Sequence, residues 1–269
     1  WVQLAKMMEQ AGVKMMELNF GCPHTSQMEG TETGMLVGQD KELASTIVEA
    51  VSHSVSIPII VKLTPQVTDM VAVAKAVKEA GAAAVTVMNR FVGFCVDVEE
   101  AEPYIYGSAG VGGPWVKPLT LRWIYQIYRD LDIPISGSNG VYDARDVAEF
   151  MMTGATIVQM CSVIMAEGYG WIARTIAELN DFLDSHGYRS AGEIIGVAAK
   201  KALSYAQTAE LDREKAEVDQ DLCILCERCI DTCFYNALTI EGDKLLVTDC
   251  RGCGICPCVC PADAISLKI

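Results

Sequence analysis

The sequence predicts an α/β chain: a partial TIM-type β/α barrel over residues 1–190, a helical connector over 191–216 and a small α+β domain over 217–269. Three observations predict it. Apolar, β-rich runs alternate with amphipathic stretches through the first part of the chain. The helix-to-strand junctions look alike, as Ala11-Gly12-Val13, Ala80-Gly81-Ala82 and Thr153-Gly154-Ala155. Nine of the twelve cysteines then crowd between Cys223 and Cys260.

The strand signals fall near 14–19, 57–63, 83–89, 133–137 and 156–161. Amphipathic stretches such as Asp40–Ser54 and Thr68–Ala80 lie between them, the second closed by Gly81 as a stop signal. The junction glycines are 69 (81 − 12) and 73 (154 − 81) residues apart, two βα units each, and the intervening strands open alike at Ile57-Pro58 and Ile133-Pro134. Repeated βα units with polar residues at the strand C-termini read as a barrel. A closed barrel has about eight strands, and five are counted here, in a chain that begins with Trp1 inside an amphipathic stretch. The expectation is that three N-terminal βα units are missing from this sequence, since an open sheet would expose long edges. A doubly wound sheet is the structural alternative.

With 269 residues, 51% of them hydrophobic, the chain can bury one large core and one small one. A net charge of −14 argues against nucleic acid as a partner. No run approaches about 18 apolar residues, and no basic, cleavable leader is seen, so a cytoplasmic protein that does not enter membranes is expected. A disulfide framework suits short secreted chains, so thiolate ligands are the better reading of the cysteines.

Cys223, Cys226, Cys229 and Cys233 are spaced C-x2-C-x2-C-x3-C, and Cys250, Cys253, Cys256 and Cys260 repeat that spacing at a constant offset of 27 (250 − 223). Three thiolates at two-residue gaps wrap one iron–sulfur cube, and the fourth reaches the other cube. Cys223, Cys226, Cys229 and Cys260 are therefore expected to hold one [4Fe–4S] cluster, and Cys250, Cys253, Cys256 and Cys233 a second, in a dicluster ferredoxin-like domain. Two zinc knuckles are the alternative. Cys258, between two ligands, is expected to be a packed small residue.

Glu17-Leu18-Asn19-Phe20-Gly21-Cys22-Pro23-His24 resembles the active-site loop of the dihydroorotate and dihydropyrimidine dehydrogenase family. Val61-Lys62-Leu63-Thr64-Pro65, Val87-Met88-Asn89, Gly110-Val111-Gly112-Gly113, Ser136-Gly137-Ser138-Asn139-Gly140 and Gln159-Met160-Cys161-Ser162 resemble further family segments, in family order. The cluster module narrows the resemblance to the dihydropyrimidine dehydrogenase branch.

The resemblance implies FMN at the C-terminal mouth of the barrel. It implies that Cys22 protonates a pyrimidine ring on the face opposite the flavin, and that Asn19 and Asn89 hold the ring edges. Lys62 would stabilise negative charge on the flavin; a structural ion pair is the plainer reading of a lysine in an apolar strand. Gly112, Gly113, Ser138, Asn139, Gly140, Cys161 and Ser162 would cradle the FMN phosphate. Gly21 and Arg90 depart from the family's hydroxyl residues, and Asn139 from a glycine. Arg90 places a positive charge beside the substrate, which suggests a substrate bearing a carboxylate. His24, His53 and His186 show no metal-like grouping.

The implied activity is reduction of the 5,6 double bond of a pyrimidine-like substrate. Electrons would come from an NAD(P)H-oxidising flavoprotein subunit in an oligomer, because no intact dinucleotide fingerprint is found. The alternatives are an electron-transfer or assembly subunit without its own catalysis, and a dihydroorotate dehydrogenase.

Overall fold

A computed structural model of the chain describes residues 1–24, 33–204, 207 and 215–267. The chain divides into two compact units, Trp1–Ala202 and Leu203–Ile269.

In the first unit, β1 (Met16–Asn19), β2 (Ile59–Lys62), β3 (Ala84–Val87), β8 (Ile135–Ser138) and β9 (Ile157–Gln159) form one parallel sheet in that order. Each lies within one of the runs read as a strand or overlaps it closely. The spatial order follows the chain without reversal, as in a barrel wall; a doubly wound sheet would reverse about a switch point. The helices follow suit. α3 (Lys41–Ser52) packs on α4 (Met70–Glu79), α4 on α5 (Lys117–Asp130), α5 on α6 (Ala144–Thr153), and α6 on α8 (Gly170–Ser185).

Side chains alternate across each strand. Leu18, Ile59, Val61, Val85, Val87 and Ile135 are buried in the core. The alternate positions carry Glu17, Asn19, Lys62, Thr86, Ser138 and Gln159, so one sheet face is dense in polar groups. That polar face is where chemistry can be placed.

Local signals account for the helix limits. Asp40 caps α3 by accepting from the Leu43 N–H at 2.9 Å, and Asp69 caps α4 by accepting from the Ala72 N–H at 3.0 Å. Gly81 ends the α4 turn at φ +107°, where only glycine is unstrained. In the short helix α2 (Met35–Gln39), Gly38 lies so close to β1 that a Cβ would collide with the Phe20 carbonyl oxygen. Gly38→Ala is expected to cost about 1–3 kcal/mol, read as a lower denaturant midpoint. An unchanged midpoint would show that α2 can move away freely.

Two features were not anticipated. Between β3 and α5 the chain makes two small antiparallel pairs, β4 (Phe91–Gly93) with β7 (Ala109–Val111) and β5 (Val96–Asp97) with β6 (Glu102–Pro103). Within the expected helical connector, Ala191–Ile194 and Ala199–Lys201 form 3-10 turns, while Gln207 is α-helical. Gly192 and Gly196, the latter at φ +72°, interrupt helical continuity there.

The second unit pairs β10 (Ala216–Val218) with β13 (Ile265–Leu267), and β11 (Leu238–Glu241) with β12 (Lys244–Val247). The 27-residue repeat reappears in its backbone. Short helices start at Arg228 and Ile255, and left-handed residues pair as Leu225 with Gly252, Glu227 with Gly254, and Asn236 with Asp263. Its buried core holds Ala216, Cys229, Leu238, Leu245, Cys256 and Ile265. Cys258 is exposed, contrary to the expectation of a packed residue. It sits two positions after buried Cys256 on a helical turn, which rotates it to the opposite side.

Among the described residues, no helix is long and apolar enough to cross a membrane.

Candidate functional site

In the second unit, Cys223, Cys226, Cys229 and Cys260 line one cavity. Cys233, Cys250, Cys253 and Cys256 line another, with Cys229 also on its wall. The fourth cysteine of each run thus stands with the first three of the other.

Backbone N–H groups point at the sulfurs. Ala237 donates to Cys233 Sγ at 3.3 Å and Ala264 to Cys260 Sγ at 3.2 Å, one repeat apart. Cys250 Sγ accepts from Ala216 at 3.4 Å and from Gly252 at 3.5 Å. Such bonds favour sulfur in its thiolate, metal-binding form. Burial, reinforced by the neighbouring Cys250 thiol, pushes the Cys256 thiol up to about 11, and burial raises Cys229 too. Gathering these thiols as anions therefore calls for a strongly cationic centre. Among the described residues, no three His, Cys, Asp or Glu side chains close round a single ion. Cysteines spread over a cavity wall fit a polynuclear cluster better than a zinc ion, which draws its sulfurs in to about 2.3 Å.

In the first unit, the C-terminal ends of the strands open into a cleft of about 750 Å³, within the range of cofactor sites. Lys62, Asn89 and Arg90 stand on its wall, as do Gly112 and Gly113 from the excursion after β7. Ser138, Asn139 and Gly140 follow β8 into it, and Cys161 and Ser162 follow β9. Asn19 and Cys22 are not on the wall. Met88, Gln159 and Tyr142 line it without having been assigned a role from sequence.

The turn glycines fit a close approach to a ligand. Gly140 has φ +114°, and a Cβ there would lie 2.7 Å from the Lys117 Cα. A Cβ on Gly112 would lie 2.5 Å from Asn139 Oδ1. Asn139 adopts φ +77°, a conformation asparagine tolerates, which accounts for its standing in for a glycine. Its amide ties the mouth together, donating to the Asn89 carbonyl at 3.1 Å and accepting from the Gly113 N–H at 3.2 Å.

Behind the turn at Gly140, Lys117 bonds Asp146 and Glu149, each at 2.7 Å, and this pairing raises its pKa further. Asp146 also accepts from the Tyr142 N–H at 2.7 Å. The turn after Gly140 is therefore held from beneath.

Asn19 Oδ1 accepts from both the Gly21 N–H and Asn89 Nδ2, each at 3.1 Å. Its lone pairs are engaged, so Asn19 has N–H groups left to offer, which suits carbonyl or carboxylate oxygens. Gly21 fits tightly: a Cβ there would lie 2.5 Å from Asn89 Cβ, which explains why no hydroxyl residue occupies the position. Cys22 is partly buried on this loop, and its carbonyl accepts from the Met35 N–H at 3.0 Å. His24 ends this described segment, while His53 and His186 close α3 and α8.

Lys62 finds the anionic partner its strand demands, with Nζ 3.4 Å from Glu17 Oε1 and 3.1 Å from Gln159 Oε1. Arg90 pairs with no carboxylate among the described residues; its Nη1 lies 3.5 Å from the Gly110 carbonyl. Among the described residues, the cleft wall thus carries two cationic side chains, Lys62 and Arg90, and no Asp or Glu, in a protein of net charge −14. It favours anions.

A family model described as dihydroorotate dehydrogenase matches residues 1–183, and one for the 4Fe-4S binding domain matches 216–239. The dihydroorotate dehydrogenase B (NAD(+)) catalytic subunit of Methanothermobacter thermautotrophicus is 40% identical over 68% of this chain and 60% of its own length. The NAD-dependent dihydropyrimidine dehydrogenase subunit PreA of Escherichia coli is 32% identical over 99% of this chain and 68% of its own. The chain thus spans 60% of the length of the first of these relatives and 68% of the second. A crystal structure of dihydroorotate dehydrogenase from Eimeria tenella, in complex with ferulenol, shares the fold. Its TM-score is 0.58 at 18% identity, over 72% of this chain and 57% of that one. The chain belongs to the dihydroorotate dehydrogenase family and joins that domain to a 4Fe-4S binding domain.

Proposed function

We propose that this chain is the flavin- and iron–sulfur-carrying part of an oxidoreductase that reduces the 5,6 double bond of a pyrimidine-like ring. The observation that carries the reading is the cleft: segments from β2, β3, β8, β9 and the excursion after β3 meet at one anion-favouring mouth.

FMN fits the residues present. The positive wall and the side-chain-free turns at Gly112, Gly113 and Gly140 suit its phosphate, with Ser138, Asn139, Cys161 and Ser162 completing the cradle. When bound, FMN supplies the conversion between single electrons, as iron–sulfur clusters deliver them, and the two-electron reduction of a ring carbon.

The chain's own residues do the rest. Asn19 and Asn89 hold the ring by its carbonyl edges, and Lys62 holds positive charge against the flavin. Cys22 Sγ gives up the proton that the neighbouring ring carbon needs. Cys223, Cys226, Cys229 and Cys260 hold one cluster; Cys250, Cys253, Cys256 and Cys233 hold the other. The electrons come from an NAD(P)H-oxidising flavoprotein subunit in an oligomeric assembly.

One observation favours an acidic ring, such as orotate, over a neutral one. Arg90 Nε and Cζ lie against Gly110, where Pro23 of the Cys22 loop also packs, so a guanidinium with no carboxylate partner among the described residues stands on the side of the proton donor. A charge-assisted bond to a carboxylate contributes about 1.5–3 kcal/mol. Arg90→Thr is therefore expected to cut the preference for orotate over uracil by about 10–100-fold in kcat/KM. Unchanged discrimination would defeat the acidic-ring reading and leave the neutral pyrimidine.

A further inference from the structure

Four residues on four strands of the polar sheet face close into a ring. Glu17 (β1) faces Lys62 (β2) at 3.4 Å, and Lys62 Nζ donates to Gln159 Oε1 (β9) at 3.1 Å. Gln159 Nε2 donates back to Glu17 Oε2 at 3.1 Å, and the Thr86 hydroxyl (β3) donates to the same oxygen at 2.5 Å. The bonding fixes the orientation of the Gln159 amide, because only its oxygen can serve the ammonium and only its nitrogen the carboxylate. Lys62 and Gln159 reach the cleft wall; Glu17 and Thr86 do not.

We propose that Glu17 is a positioning residue for Lys62, and that its carboxylate, oriented by Thr86 and Gln159, sets the net charge that the chain presents to the flavin. The proposal rests on the flavin reading of the cleft. A lysine side chain has four rotatable carbons and a compact charge. Untethered, it would swing toward solvent or toward any anion in the cleft. The ring holds Nζ in place from two sides and offsets its charge. Reduction adds negative charge to the flavin, so its potential reports the local charge directly: a more positive surrounding raises it.

Three isosteric or charge-conserving changes separate this from a merely structural role. Glu17→Gln removes the carboxylate and keeps the shape, and is expected to shift the flavin midpoint potential upward. Glu17→Asp keeps the charge and is expected to return the potential toward the wild-type value. Gln159→Glu adds a second carboxylate beside Lys62 and is expected to shift the potential downward, which keeps the test alive if Glu17→Gln fails to fold. The measurement is an anaerobic redox titration of the full chain, following the flavin band. Opposite shifts for Glu17→Gln and Gln159→Glu support the proposal. Flavin present with the potential unmoved in both, or moved in the same direction, overturns it. A wild-type chain with no flavin absorbance contradicts the flavin reading itself.

Discussion

Cys256→Ser should remove one cluster and loosen the whole second unit with it. Cys256 is 8% exposed and belongs to a small buried cluster that, among the described residues, holds Ala216, Cys229, Leu238, Leu245 and Ile265 beside it. A unit of this size has too little apolar surface to hold itself together, and small domains of this kind draw their stability from bound metal. A serine hydroxyl is a poor substitute for a thiolate ligand. Iron content is expected to fall from about eight atoms per chain toward about four, with faster proteolysis of the region after Ala202. Cys258→Ser is the control: Cys258 is exposed and stands outside both proposed ligand sets, so iron content should not change. A Cys256→Ser protein with full iron and the wild-type spectrum would contradict the ligand assignment.

Cys22→Ala should lower turnover by about 10²–10⁴-fold while leaving both the flavin and the iron–sulfur spectra intact. Adding hydride to one carbon of a ring double bond leaves an electron pair on the adjacent carbon, which must then receive a proton. In the proposed reading Cys22, in the loop that follows β1, gives it. It lies between Gly21, packed on Asn89, and Pro23, packed on Gly110. Substrate affinity should change little, because Asn19, Asn89 and Arg90 remain. The fall in kcat without a matching rise in KM marks loss of a group used in the transition state. Unchanged turnover would transfer the proton donor's role to another group.

The barrel-type sheet was legible because its strands are marked twice, by apolar alternation and by the Gly-containing junctions that precede or follow them. Gly81 and Gly154 both take positive φ, which is why those junctions stand out in the sequence. The β4–β7 and β5–β6 pairs were not legible, since strands of two or three residues carry no period to detect. The repeated cysteine spacing was the strongest signal, and the 27-residue offset survives as paired left-handed residues.

The polar ring was half visible. A lysine in the run Pro58–Leu63 demanded an anion, but nothing local said which. Glu17 lies 45 residues upstream (62 − 17) and Gln159 97 downstream (159 − 62), and only the parallel register of the sheet brings them together. The exposure of Cys258 follows from its phase on the helix, two positions past buried Cys256, which cysteine spacing alone does not reveal.

The most direct test of the central claim is visible spectroscopy of the anaerobically reduced full chain, with uracil, thymine and orotate added in turn. The account predicts a bleached flavin band whose absorbance returns when a ring is added that the protein reduces, with orotate the most effective. Broad iron–sulfur absorbance with no flavin signal would contradict it, and would make the chain a carrier of electrons alone.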